Sequence, residues 1–190
     1  SINENGNGSL MRILPVALYA YTRNLDDISI QRLTDEMSSL THAHEVSRLG
    51  CYICVQFIIC LLKGYTKEEV YKYIQSLDYS SYSLNSIDLY TRILNAKIKD
   101  QAIDSIKSTG YIVDTLECAL WIFLNAMDYK ESIIASTNIG GDTDTIGAIV
   151  GSMSGIYYGF ESIPSKWLDK LQRKEYLVEL TSKFERCVKE

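Results

Sequence analysis

The chain has 190 residues, 46% hydrophobic and 23% charged, with a formal net charge of −5. That length is enough for one domain with a substantial core, and the negative balance provides no positive field for a phosphate backbone, which argues against nucleic-acid binding. The longest apolar stretch, 51–62, contains Gln56 and falls short of bilayer thickness, so no membrane span is expected. The opening Ser1-Ile2-Asn3-Glu4 has neither an initiating Met nor a basic segment leading into an apolar run, which points to a cytoplasmic setting without a signal peptide.

Only two prolines occur, and apolar residues recur at three- and four-residue spacing, so the chain reads as one nearly all-helical domain over 1–190. A turn-rich start, Asn5 to Arg12, leads into a first apolar helix. Asp26 and Asp27 are candidate caps for a helix running to Leu40. Thr41 is the candidate cap of a long apolar helix from about 43 to 63, ended by Gly64. The apolar residues of that helix cover most of its circumference, which predicts burial on several sides. Thr66-x-x-Glu69 is a capping box opening a helix towards Leu77, and Asp128-x-x-Glu131 opens another towards Ser136. Between them, 79–85 is rich in Ser and Tyr and reads as a loop, and Asp114 is a candidate cap for the helix containing Trp121. After Asp144, glycines at 147, 151, 155 and 159 line one helix face. Each costs about 1 kcal/mol relative to alanine in a helix interior, so close approach of another helix is the expected reason. An amphipathic helix over 174–189 closes the chain. The five cysteines form no scaffold spacing, and Cys51-x-x-Cys54 lies inside an apolar helical pattern, so all five read as reduced thiols and that pair as core packing.

Four segments carry chemistry. Gly140-Gly141-Asp142-Thr143-Asp144-Thr145 delivers two carboxylates and a hydroxyl to a helix start, hard oxygen ligands that suit Mg²⁺. A helix cap needs only one Asp, and the contexts of the phosphatase and EF-hand motifs are absent. Asp142 and Asp144 are therefore expected to direct their carboxylates into a common cavity. Gly6-Asn7-Gly8-Ser9 exposes backbone N–H groups before a helix and suits an anion. His42 and His44, the two histidines of the chain, lack a third ligand for zinc and fit hydrogen-bonded roles. Gly110-Tyr111 precedes the helix of Asp114.

In this order the four segments resemble the ADP-ribosylglycohydrolase family, the group that includes the dinitrogenase-reductase-activating glycohydrolase. Gly6 to Pro15 resembles the family's glycine-rich substrate loop, Thr41-His42 its histidine segment, Gly110 to Leu116 its adenosine-side loop, and Asn138 to Gly147 its carboxy-terminal metal motif. The resemblance implies a compact orthogonal all-α bundle, seen without its amino-terminal helices, and Mg²⁺-dependent hydrolysis of the glycosidic bond of ADP-ribose. Asp142, Asp144 and Thr145 would hold metal, Asp142 and Asp144 together with Glu4 would be the catalytic acids, and Gly6, Asn7, Gly8, Ser9, His42, Gly110 and Tyr111 would bind substrate. The family holds two Mg²⁺ between this motif and an amino-terminal Thr-Asp-Asp segment that does not precede Ser1, so one metal or none is expected for this chain alone. The partners implied are ADP-ribose or an ADP-ribosylated protein, met by a monomer or an oligomer. Two alternatives stand beside hydrolysis by this chain: a truncated or diverged non-catalytic module binding ADP-ribose or a protein partner, and a metal-dependent phosphohydrolase.

Overall fold

The structure, a computed structural model, describes residues 5–95 and 97–189. It comprises α1 (Leu14–Thr22), α2 (Asp27–Ser39), α3 (Glu45–Leu62), α4 (Lys67–Ser76), α5 (Leu84–Asp88), α6 (Thr91–Leu94), α7 (Ile112–Asn125), α8 (Tyr129–Asn138), α9 (Thr143–Tyr158), α10 (Ser165–Leu168) and α11 (Lys174–Lys189). Among the described residues there is no strand, only an isolated antiparallel bridge between Gly6 and Tyr111.

The long apolar helix is the axis of the fold, as its pattern predicts. α3 packs against α1, α2, α4, α7 and α9, and although it is long and apolar enough to cross a membrane, 83% of it is buried inside the protein. Gln56, its one interior amide, donates to Asp27 Oδ1 and to Tyr52 Oη, both at 3.1 Å, which offsets the cost of burying it. Phe57 meets Phe123 of α7 edge to face, with ring centroids 5.6 Å apart. Cys51, Cys54, Cys60 and Cys118 are buried free thiols, and burial pushes Cys51 up to about 11, so it stays a protonated packing residue.

Helix starts follow the short polar signals, with two corrections. Thr66 and Glu69 form the complete capping box of α4, and Asp26 and Asp128 cap α2 and α8 through bonds to Ser29 N and Glu131 N. Thr41, however, does not cap α3. His44 does, its Nδ1 accepting from Val46 N at 3.2 Å. Nor does Asp114 cap α7, which has Tyr111 at its cap position; Asp114 instead accepts from Thr109 Oγ1 at 2.7 Å. The predicted loop over 79–85 also ends early, because Ser83 caps the short α5.

The glycine face of α9 packs on α8, where Ser132 and Ser136 are fully buried. A Cβ on Gly151 would lie 3.4 Å from Ile133 Cδ1, one on Gly147 3.6 Å from Ser136 Oγ, and one on Gly155 3.9 Å from Tyr129 Cε2. The approach therefore leaves room for a methyl group but not for a larger side chain. Gly159 lies outside the ladder: it is the C-cap of α9, with φ +84°. The closing helix α11 touches α1 and buries Val188, while Tyr176, Leu177, Val178 and Leu180 on it are exposed.

Candidate active site

Three of the four sequence segments meet through backbone bonds. Asn7 N donates to Gly110 O at 3.1 Å and Ile112 N to Asn5 O at 2.9 Å, which lays the amino-terminal loop alongside the segment entering α7. Asp142 N donates to Ser108 O at 2.9 Å, joining the start of α9 to the same segment. Gly141 makes that contact feasible: its φ is +66°, and a Cβ there would sit 2.1 Å from Ser108 O.

Side chains then lock the junction. The Asn7 amide nitrogen donates to Thr115 Oγ1 at 2.9 Å and to Asp142 Oδ2 at 2.5 Å. The Thr115 hydroxyl hydrogen goes to Thr109 O at 2.8 Å, so one asparagine ties together residues 135 positions apart. Asp142 occupies the N-cap position of α9 yet makes no capping bond with its side chain. The Asn7 amide, above all, holds its carboxyl below the usual carboxylate range, with smaller help from Asp144 and Thr145 against slight desolvation. His42 lies across the loop: Cβ atoms built on Gly6 and Gly8 would be 3.4 and 3.3 Å from its Nε2, and the one on Gly8 only 2.8 Å from Cε1. The two glycines thus turn their empty side-chain positions towards one imidazole edge.

The family model for ADP-ribosylglycohydrolases matches residues 2–190. The chain belongs to the ADP-ribosylglycohydrolase family. It is 30% identical over 181 residues to the ADP-ribosylarginine hydrolase Tri1 of Serratia proteamaculans, covering 92% of this chain and 45% of that protein. To the ADP-ribosyl-[dinitrogen reductase] glycohydrolase of Rhodospirillum rubrum it is 28% identical over 176 residues, 92% of this chain and 53% of the relative. A solved ADP-ribosylglycohydrolase-related protein complex superposes with a TM-score of 0.82 at 27% identity, covering 98% of this chain and 61% of that one. The chain thus spans about half the length of these curated relatives, and the all-α fold is the fold of the ADP-ribosylglycohydrolase family.

Within that fold the predicted site residues divide. Gly6, Asn7, Gly8, His42, Gly110, Asp142 and Thr145 converge on one junction. Glu4 lies outside the described residues. Ser9 turns inward: the whole residue is buried, and its hydroxyl accepts from Cys51 Sγ at 3.4 Å, so neither its side chain nor its backbone lies at the surface. Asn7 spends both amide hydrogens inside the protein, so only its carbonyl oxygen remains. Among the described residues the Tyr111 hydroxyl is buried without a partner, so it is not a surface group offered to a ligand. Among the described residues, the N–H groups of the partly exposed Gly6 and Gly8 have no protein acceptor, the arrangement an anion-binding turn requires. Asp144 is exposed, so the carboxylate pair faces solvent at the described surface rather than an enclosed cavity. The sequence reading gives Thr115, Ser108 and Arg12 no individual role and Thr41 only that of a helix cap, because no spacing rule marks their contacts.

No group of three or more His, Cys, Asp and Glu side chains gathers into a metal cluster among the described residues. Asp142, kept ionised and uncapped, together with Asp144 and the largely buried Thr145, supplies two carboxylates and a hydroxyl. That donor set fits one hard divalent cation in part and is short of charge and ligands for two.

Proposed function

We propose that this chain supplies the phosphate-binding loop and the carboxy-terminal metal ligands of a Mg²⁺-dependent hydrolase that removes ADP-ribose from modified side chains. One observation carries this reading: Asn7, on the anion-binding turn, holds Asp142, on the metal motif, in a 2.5 Å hydrogen bond. Phosphate binding and metal binding thereby become one site, the arrangement needed when a diphosphate and the adjoining ribose are gripped together.

In this reading the backbone N–H groups of Gly6 and Gly8 bind diphosphate oxygens, and the α9 amino terminus adds its partial positive charge. Gly110 and Tyr111 lie on the adenosine side. Asp142, Asp144 and Thr145 would hold Mg²⁺, which when bound orients ribose hydroxyls and offsets charge developing at the anomeric carbon. Asn7 presents Asp142 in its ionised form at a fixed orientation. Water is the final nucleophile, and proton transfer to the leaving group falls to a carboxylate; Glu4 is the proposed one. The Serratia relative is an ADP-ribosylarginine hydrolase, which makes ADP-ribosylarginine the first substrate to try.

A second reading, ADP-ribose binding without turnover by the isolated chain, is favoured by the two-carboxylate donor set. Calorimetric titration with ADP-ribose, with and without Mg²⁺, tests the part common to both readings. Saturable binding that strengthens with Mg²⁺ and is weakened by Asp142→Ala supports it. Equal binding of AMP and ADP-ribose, indifferent to Mg²⁺, refutes it.

A further inference from the structure

The His42 backbone is pinned on both sides by the end of α2: its N–H donates to Ser38 O at 2.8 Å, and Ser38 Oγ donates to His42 O at 3.0 Å. The remaining freedom is rotation of the ring and the choice of protonated nitrogen. Nδ1 lies 2.8 Å from Thr41 Oγ1. That hydroxyl also accepts from Arg12 Nη2 at 2.7 Å, and the same guanidinium nitrogen donates to Met37 O at 3.1 Å.

An arginine has no acceptor, so Thr41 must receive the Arg12 bond. A charge-assisted bond of that length polarises the hydroxyl and makes it a stronger donor. Among the described residues the protein acceptor within reach of its hydrogen is His42 Nδ1. The opposite assignment, Nδ1–H donating, would have Oγ1 receive two donors and turn its own hydrogen out to solvent, since Thr41 is exposed. The charge-assisted bond from Arg12 favours the first assignment, with Nδ1 as acceptor and the hydrogen on Nε2, the atom that faces the empty side-chain positions of Gly6 and Gly8.

We propose that Arg12 and Thr41 are positioning residues that fix His42 as an Nε2–H donor over the Gly6–Gly8 turn, where it binds a phosphate oxygen held by that turn. The ligand half of this proposal rests on the diphosphate reading given above; the proton assignment does not.

The chain has two histidines, so a long-range ¹H–¹⁵N spectrum of the labelled protein at mildly alkaline pH, where free imidazole is neutral, resolves both tautomers. His44, with Nδ1 accepting from Val46 N, is an internal reference. Both rings are expected as Nε2–H. In Thr41→Val the His42 shifts move towards the averaged values of free imidazole, those of His44 stay, and ADP-ribose affinity falls about three- to tenfold, the effect of losing one hydrogen bond that selects the competent state. Thr41→Ser, which keeps the hydroxyl, behaves as the parent, and Arg12→Gln shifts His42 in the same direction as Thr41→Val. A His42 that is Nδ1–H in the parent, or unmoved in Thr41→Val, overturns the relay. The stated tautomers in a parent chain that does not bind ADP-ribose overturn the ligand half and the diphosphate reading together.

Discussion

Replacing Asn7 by alanine tests the junction on which the site is built. The substitution removes a buried bond to Thr115 Oγ1 at 2.9 Å and a charge-assisted bond to Asp142 Oδ2 at 2.5 Å. The first is worth about 1 kcal/mol and the second about 1.5–3 kcal/mol. Asp142 is half-exposed, so water replaces part of what its carboxylate loses, and the total comes to about 2–3 kcal/mol. Urea unfolding measures that loss, and a double-mutant cycle with Asp142→Ala isolates the pair, with a coupling of about 1–2 kcal/mol. Single losses that add to within about 0.5 kcal/mol would mean that Asn7 and Asp142 do not support one another, and the joining of phosphate loop and metal motif would fail.

Three further outcomes follow from particular contacts. Gly141→Ala meets both a left-handed backbone and the Ser108 carbonyl oxygen at 2.1 Å, so it should cost more than about 2 kcal/mol and weaken any Mg²⁺ binding by moving Asp142, read by melting and calorimetry. Gly151→Leu should lose about 1–3 kcal/mol by overpacking against Ile133, whereas Gly147→Ala, whose methyl meets Ser136 Oγ at 3.6 Å, should be neutral or mildly stabilising; equal melts for Gly151→Leu and the parent would place the ladder on the surface. Burial raises the Glu117 carboxyl to about 7, opposed by Arg92 at 3.1 Å. The folded state therefore binds more protons than the unfolded one between about pH 4.5 and 7, so this group's contribution to stability falls as pH rises through that window, by about 1–2 kcal/mol after allowance for screening. Glu117→Gln should flatten that part of the urea-stability profile.

The sequence was most informative where a local signal has no competitor. The Thr66–Glu69 box acts within one turn, and the apolar circumference of α3 admits no placement but the centre. It was misleading where two candidates stood within a few residues of each other: Thr41 and His44 can both cap a helix, and the choice falls to His44 because the N–H groups of Thr41 and His42 still close the end of α2 on Ser38 O. The same limit applies to the site. Asp142, Asp144 and Thr145 are legible as oxygen donors, but the orientation of Asp142 is set by Asn7 across 135 positions. The inward turn of Ser9 is set by Cys51 of α3, a residue legible only as core. Gly159 continues the four-residue spacing yet acts as a helix stop, because period alone does not separate a packing glycine from a terminating one.

The proposed division of labour, ligand binding by this chain without complete chemistry, meets its most direct test in turnover. Among the described residues the site brings two carboxylates to face the four positive charges of two Mg²⁺, too few to hold both ions, and without both ions the positioning on which the rate depends is lost. The purified chain, incubated with Mg²⁺ and arginine-ADP-ribosylated protein, is predicted to bind ADP-ribose while releasing none above the uncatalysed background. Robust ADP-ribose release abolished by Asp144→Ala would contradict the account and establish these residues as a sufficient active site.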